Sequence, residues 1–482
     1  MVPALEGLEP KEVWRHFDAL ARIPRSSTKE AAVIDYVLSQ AGHAGREVMQ
    51  DKTGNLVVRK PAHKGREAAP MVSLQAHLDM VCEKNEGTAH NFDTDPIKIA
   101  RDGDWLRAEG TTLGADNGVG VSAALAVMDS KDIHHGPLEF VFTIDEESGL
   151  TGASQFPAGM LKSKYFLNLD SEEIGMIYIG CAGGVNTTGR RKISLRAPSS
   201  NAAWRVQVAG LKGGHSGVDI HVGRGNALRI LGGILQNAIG DLAAEVSGVQ
   251  GGSAHNAIPR EASATIVLDE RKGHELRTLI AKAESDCKAD LGSFDPGLMI
   301  SVDKTKIPAK VLNPPDAQRV ADLLVSLPHG ALAMSPDIAG LTQNSTNLAT
   351  VTTKGGRVEI VTSQRSALES SKWAAARMVA TIFRLAGFKV EHSVSYPGWK
   401  PEPKSEIVLK LQTVHEKTFG HPAKLLAIHA GLECGVIGEK YPGMQMASFG
   451  PTIVDVHSPH ERVQISTVEA FWKYLKAALE YL

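Results

Sequence analysis

The stretch Met71-Val72-Ser73-Leu74-Gln75-Ala76-His77-Leu78-Asp79 opens as an apolar run and closes on a histidine and an aspartate two residues apart. Alternate residues of a strand point the same way, so Asp79 is placed to orient His77 and tune its charge. Alone, the pair reads first as a strand-end histidine satisfied by a neighbouring carboxylate. Three other apolar runs end in the same manner. Leu138-Glu139-Phe140-Val141-Phe142-Thr143-Ile144 leads into Asp145-Glu146-Glu147, and Tyr165-Phe166-Leu167-Asn168-Leu169 leads into Asp170, with Glu172 and Glu173 beyond. Ile453-Val454-Asp455-Val456 leads into His457-Ser458-Pro459-His460-Glu461. Between them, Gly110-Thr111-Thr112-Leu113-Gly114-Ala115-Asp116-Asn117-Gly118-Val119-Gly120 frames one aspartate with glycines just before a helix. There backbone can approach closely while a carboxylate is presented, although Asp116 also reads as a plain helix cap. The stretch lacks the GKS/T ending and the GxGxxG spacing of a phosphate loop.

Short apolar runs of this kind, alternating with helical segments such as Val119 to Met128, predict an α/β sheet covered by helices. In open α/β sheets ligands collect outside the carboxyl ends of the strands, so these ends predict one site. Near residue 187 the texture changes. Trp204-Arg205-Val206-Gln207-Val208 and Ala264-Thr265-Ile266-Val267-Leu268 alternate between apolar and polar, and amphipathic helices such as Asn226 to Ile239 lie between such segments. This predicts an α+β unit with a half-exposed antiparallel sheet. A helix from about Ser371 to Leu385, stopped by Gly387, precedes the proline-containing crossing Tyr396-Pro397-Gly398-Trp399-Lys400-Pro401-Glu402-Pro403, after which the first texture returns. The expected organisation is therefore 1–186 and 399–482 forming one domain, with 187–398 inserted. Ser27-Thr28-Lys29-Glu30 and Ser466-Thr467-Val468-Glu469 match capping boxes ahead of helices.

With 52 Lys+Arg against 54 Asp+Glu in 482 residues, the net charge of −2 excludes electrostatic nucleic-acid binding as the default. No apolar stretch reaches the roughly 18–20 residues of a membrane span, and the acidic opening, with Glu6, Glu9, Glu12 and Asp18, is unlike a signal peptide. A soluble, cytoplasmic protein without membrane partner is expected. Cys82, Cys181, Cys287 and Cys434 form no CxxC pair, so a metal would be held by histidines and carboxylates. Two histidines and three carboxylates, one able to bridge, suit a pair of zinc-like ions whose shared water is a nucleophile near neutral pH; Mn and Co also suit such donors.

The ordered set His77-x-Asp79, Asp116-Asn117-Gly118, Glu146-Glu147, Asp170 and a late His457 resembles the co-catalytic zinc exopeptidases of the aminoacylase/carboxypeptidase family, most closely their aminoacyl-histidine dipeptidases. The likeness runs from Ile23-Pro24-Arg25-Ser26-Ser27 to His457-Ser458-Pro459. It implies a zinc-exopeptidase-like catalytic domain, a mixed sheet flanked by helices, with the inserted unit as an α+β lid and dimerisation domain. It further implies that His77 and Asp170 bind one metal, that Glu147 and His457 bind the other, and that Asp116 bridges both. Glu146 is then the general base, its pKa raised beside a ligand carboxylate, and Asp79 orients His77. His457 is preferred to His460 because it continues the strand direction, whereas Pro459 turns the chain first. In Gly213-Gly214-His215-Ser216-Gly217 the family places His215 at the scissile carbonyl. Asn256 and Arg365 match substrate-holding positions, the guanidinium suiting a terminal carboxylate. Glu433, in Gly431-Leu432-Glu433, is placed to pair with a substrate ammonium.

The implied activity is hydrolysis of unblocked dipeptides, Xaa-His such as β-alanyl-histidine, by a homodimer with two divalent ions, zinc foremost. An N-acyl amino acid hydrolase, deacetylase or carboxypeptidase of the same family is the alternative, and a non-catalytic metal-bound scaffold a more distant one.

Overall fold

A computed structural model describes residues 2–482, which divide into two compact units. One runs to Gly180 and also contains Trp399–Ala427 and Leu432–Leu482; the other is Cys181–Gly398 with the short return Ile428–Gly431. The strand Gly183–Lys192 straddles the 186/187 boundary expected from texture.

The first unit is built on a mixed sheet. Leu138–Thr143, Val72–His77, Tyr165–Asn168 and Gln445–Ser448 lie side by side and parallel, while Leu56–Lys60 and Glu47–Gln50 extend the sheet antiparallel beyond Leu138–Thr143. The parallel strands are buried on both faces, which is why Phe140-Val141-Phe142 reads as a continuous apolar run. Register puts His77 opposite Thr143 and Gln75 opposite Asn168, so the segments that carry His77, Glu146-Glu147 and Asp170 leave the sheet at one edge. The helix Ala115–Asp129 is buried along almost its whole length. A Cβ on Gly120 would stand 2.5 Å from the Leu169 carbonyl oxygen, so glycine is what lets this helix approach the chain leading to Asp170.

In the second unit, Met299–Thr305, Ala202–Ala209, Ala262–Leu268, Glu245–Gly251, Thr342–Lys354, Arg357–Ser366, Gly183–Lys192 and Lys389–His392 form an antiparallel sheet in that order. Trp204, Val206, Val208, Ala264, Ile266 and Leu268 face one core with Leu228, Leu231 and Leu235 of the helix Ala227–Leu242 and Phe383 of Glu369–Leu385. Arg205 stands exposed between them, as the alternation predicts.

Three local expectations are corrected. Ser27 does not cap the helix Ala31–His43, because its hydroxyl donates to Asp79; Ser466 does not cap Ile465–Tyr481, because its hydroxyl donates to Asp104. The strand before His457 is only Ile453–Val454, and Asp455 and His457 take left-handed backbone at φ 56° and 60°. His457 therefore sits in a turn between Ile453–Val454 and Arg462–Gln464 instead of continuing a strand. Among the described residues no helix is long and apolar enough to cross a membrane.

Candidate metal centre

Asp116 interrupts the start of its helix. Gly114 is the residue that precedes the first turn, and Asp116 has φ −79° and ψ 114°, so its carboxylate is released from capping. One oxygen, Oδ1, lies 3.1 Å from His77 Nε2, and the other, Oδ2, lies 3.3 Å from His457 Nε2. Each imidazole also meets a second carboxylate: His77 Nε2 is 3.4 Å from Asp170 Oδ1, and His457 Nε2 is 3.0 Å from Glu147 Oε2. Two trios share Asp116, His77–Asp116–Asp170 and Asp116–Glu147–His457, each offering donor atoms within 4.8 Å of one another; His77–Glu146–Glu147 and Glu30–Asp79–Asp145 are equally close groups without it. Donors of one tetrahedral zinc ion, at about 2.0–2.2 Å from it, lie about 3.4 Å apart.

The donor chemistry fits divalent cations. Glu147 Oε1 and Asp170 Oδ1 are buried and make no hydrogen bond, an arrangement costly for carboxylates unless positive charge meets them. Hydrogen bonds to Asp116 and Glu147 push His457 up to about 11. Burial opposes charge on His77, but Asp170 and Asp116 outweigh it and hold its pKa well above the ordinary value. The same arrangement of acids around two imidazoles favours a cation in each trio.

Asp79 is fully buried and organises its neighbours. Its Oδ1 lies 3.3 Å from His77 Nδ1 and accepts the Glu146 backbone N–H at 3.0 Å; its Oδ2 accepts the Glu147 N–H at 3.1 Å and the Ser27 hydroxyl at 2.7 Å. Burial raises its pKa, but the His77 contact prevails and brings it to about 2. Glu146 is half-buried by exposure, and its surroundings act the other way: desolvation, with Asp170, Glu433 and Glu147 nearby, raises it well above the carboxylate range despite His77. A carboxyl of this kind can take up and return a proton. Burial likewise brings Asp170 to about 7.

Glu433 is the first residue of the helix Glu433–Lys440 and is wholly buried. Its Oε2 accepts from Gln75 Nε2 at 2.5 Å and from Thr143 Oγ1 at 2.8 Å, while Oε1 has no hydrogen-bond partner. Burial pushes it up to about 7. His460 is exposed and belongs to neither trio.

The second unit gathers its own set. His215 and Ala257 pair across a two-stranded ribbon, and Ser216 N–H donates to the carbonyl of Asn256, whose residue is otherwise exposed. The His215 Nδ1 accepts the N–H groups of Gly217 and Val218 at 3.3 and 3.2 Å, so the ring proton sits on Nε2. Burial and the charge of Arg365 lower His215 to about 4, keeping it a neutral donor at neutral pH. Arg365 is 6 % exposed; Nη1 donates to the Tyr396 hydroxyl at 3.1 Å, and Nε is unpartnered. It lines a cavity of about 50 Å³ with Gly184, His255, Ser363 and Tyr396.

Arg25, Ser27 and Glu461 stand inside the quoted motifs, yet nothing in those motifs signals the contacts they make around Asp79 and Asp116. Their partners are backbone atoms and a carboxylate far along the chain, which no spacing signals.

A sequence profile of peptidase family M20/M25/M40 matches residues 73–481. The chain is 38% identical over 477 residues to the cytosol non-specific dipeptidase of Escherichia coli (strain K12), covering 99% of this chain and 98% of that protein. It is 41% identical to an aminoacylhistidine dipeptidase from Vibrio alginolyticus whose crystal structure matches with a TM-score of 0.91, covering 99% of this chain and 97% of that one. The aminopeptidase PepT of Bacillus cereus, 18% identical with a TM-score of 0.57 over 98% and 99% of the two chains, shares the fold.

Proposed function

The chain belongs to peptidase family M20/M25/M40, and from that premise we propose that it is a metal-dependent dipeptidase acting on unblocked dipeptides, of the Xaa-His kind such as β-alanyl-histidine. The observation that carries the reading is the division of Asp116, one oxygen to His77 and one to His457, which makes a single carboxylate common to two cation trios. His77, Asp116 and Asp170 would hold one divalent ion, and Asp116, Glu147 and His457 the other, with zinc the first choice and Mn or Co acceptable to the same donors. When bound, the ions polarise a peptide carbonyl and acidify water.

Glu146 takes the proton from the attacking water and returns it to the departing amine nitrogen. Asp79 holds the backbone of Glu146 and the ring of His77 in place for this. From the second unit, the family resemblance assigns to His215, neutral with its proton on Nε2, the donation to the carbonyl oxygen as that atom gains negative charge. The same resemblance assigns Arg365 to the peptide carboxylate and Asn256 to holding the substrate. Glu433, with one oxygen fixed by Gln75 and Thr143 and the other free, takes the substrate ammonium.

The deciding assay is release of histidine from β-alanyl-histidine, before and after chelation and with Zn, Mn or Co restored. Activity should vanish on chelation and return with metal. Hydrolysis that survives chelation would overturn the reading, as would a two-cation protein that cleaves N-acyl amino acids and no free dipeptide. Glu433→Gln should raise KM for unblocked dipeptides by about 10–100-fold, the worth of one charged hydrogen bond, and leave N-acetyl dipeptides unaffected. A uniform effect on both substrates would remove Glu433 from ammonium recognition.

A further inference from the structure

The loop Leu113–Asp116 is gripped from two sides by buried charges that the proposed chemistry does not use. Glu461, 2 % exposed, accepts four successive backbone N–H groups: Leu113 at 2.7 Å and Gly114 at 2.9 Å on Oε2, Ala115 at 2.7 Å and Asp116 at 3.2 Å on Oε1. Arg25, 3 % exposed, donates to the carbonyls of Leu78 at 3.0 Å, Asp79 at 2.8 Å and Gly114. Gly114 has φ 71°, and a Cβ there would stand 2.5 Å from Arg25 Nη2. Glycine is what the grip requires at this point.

These contacts join four separate segments of the first unit. Arg25 ties the chain after His77 to the chain before Asp116, and Glu461 ties the Asp116 loop to its own segment, four residues past His457. Arg25 and Glu461 also attract one another. We propose that Arg25 and Glu461 are positioning residues which set where the two oxygens of Asp116 stand relative to His77 and His457, and thereby the cation affinity of both trios. The proposal rests on the dinuclear reading above. Four N–H groups converging on one carboxylate fix the peptide planes through Asp116 itself, and with them the direction of its side chain. Both Glu461 oxygens accept here, whereas glutamine would turn an NH2 donor toward N–H donors. Arg25 reaches three carbonyls with a planar fork that lysine cannot reproduce.

The test is zinc calorimetry on chelator-stripped, full-length protein: wild type, E461Q, R25K, the double variant and K60M. Lys60 serves as a control because its Nζ bonds the carbonyls of Val127 and Ser130 at the opposite end of the helix that follows Asp116. K60M should lower Tm and leave zinc affinity unchanged. E461Q and R25K should weaken zinc at both steps by about 10–100-fold while far-UV circular dichroism stays native, the range found for groups that orient metal ligands. The double variant should lose less than the product of the two, since both residues hold one loop. R25K carries the test if E461Q does not fold. Zinc affinities equal to wild type in E461Q and R25K, or an equal loss in K60M at matched Tm, would overturn the proposal. Wild type that binds no zinc would overturn the dinuclear reading itself, a result distinct from either.

Discussion

Glu146→Gln is expected to lower kcat on β-alanyl-histidine by about 10³-fold, with cation content and KM close to wild type. The backbone N–H of Glu146 is bonded to Asp79 Oδ1, a contact the substitution keeps, so the side chain changes chemistry without releasing the loop. Its neighbour Glu147 belongs to a trio, and its other neighbour Asp145 is tied through its side chain to Ser148 and through its backbone N–H to Glu30. Glu146 also lies within reach of His77 and Glu147, but it is in neither trio that shares Asp116, and it is the acid we propose moves the proton. Burial raises its pKa well above the carboxylate range, a property glutamine cannot supply. The measurement is a steady-state comparison with metal content determined on the same samples. Near-wild-type kcat in Glu146→Gln or Glu146→Ala, with both cations present, would place the base elsewhere.

The ends of the parallel strands were legible because burial on both faces writes itself as an unbroken apolar run, and a histidine or carboxylate where the run stops is then conspicuous. Phe140-Val141-Phe142 before Glu146-Glu147 and Phe166-Leu167 before Asp170 are instances. Asp116 was legible only as a candidate. Capping or bridging turns on backbone angles: Gly114 takes the position before the first turn, and Asp116 keeps an extended ψ. Ser27 and Ser466 misled in the other direction, since both have the right residue type and spacing for caps, yet their hydroxyls go to Asp79 and Asp104. The strand expected to carry His457 gives way to a turn with φ 60°, which apolar patterning does not signal. Glu461 could not be singled out, because it acts on backbone N–H groups more than three hundred residues earlier, and backbone groups leave no mark in a sequence. The same holds for the return Ile428–Gly431, which the texture of the chain does not reveal.

Asp116, the carboxylate common to both trios, carries the largest expected loss. Asp116→Ala should break both trios at once and lower hydrolysis by about 10⁴-fold or more, since it forfeits the proton chemistry and the charge that the proposed pair of ions would supply. The reasoning is a count of donors. Without Asp116, His457 keeps only Glu147, short of the three protein ligands usual for a catalytic zinc, and the one three-donor group left to His77, with Glu146 and Glu147, uses up the carboxyl proposed to move the proton. His77→Ala and His457→Ala each damage one trio and leave the other complete, so each should still bind one equivalent. Stability supplies a readout independent of turnover. A ligand that binds only the native state at a thousand times its Kd stabilises by about 4 kcal/mol, so zinc should raise the Tm of wild type strongly, that of each histidine variant less, and that of Asp116→Ala scarcely at all. An Asp116→Ala protein that still binds one zinc with native affinity would mean that the trios are not joined through this carboxylate. Equal zinc responses in His77→Ala and Asp116→Ala would instead mean that the His457 trio has no affinity without its neighbour.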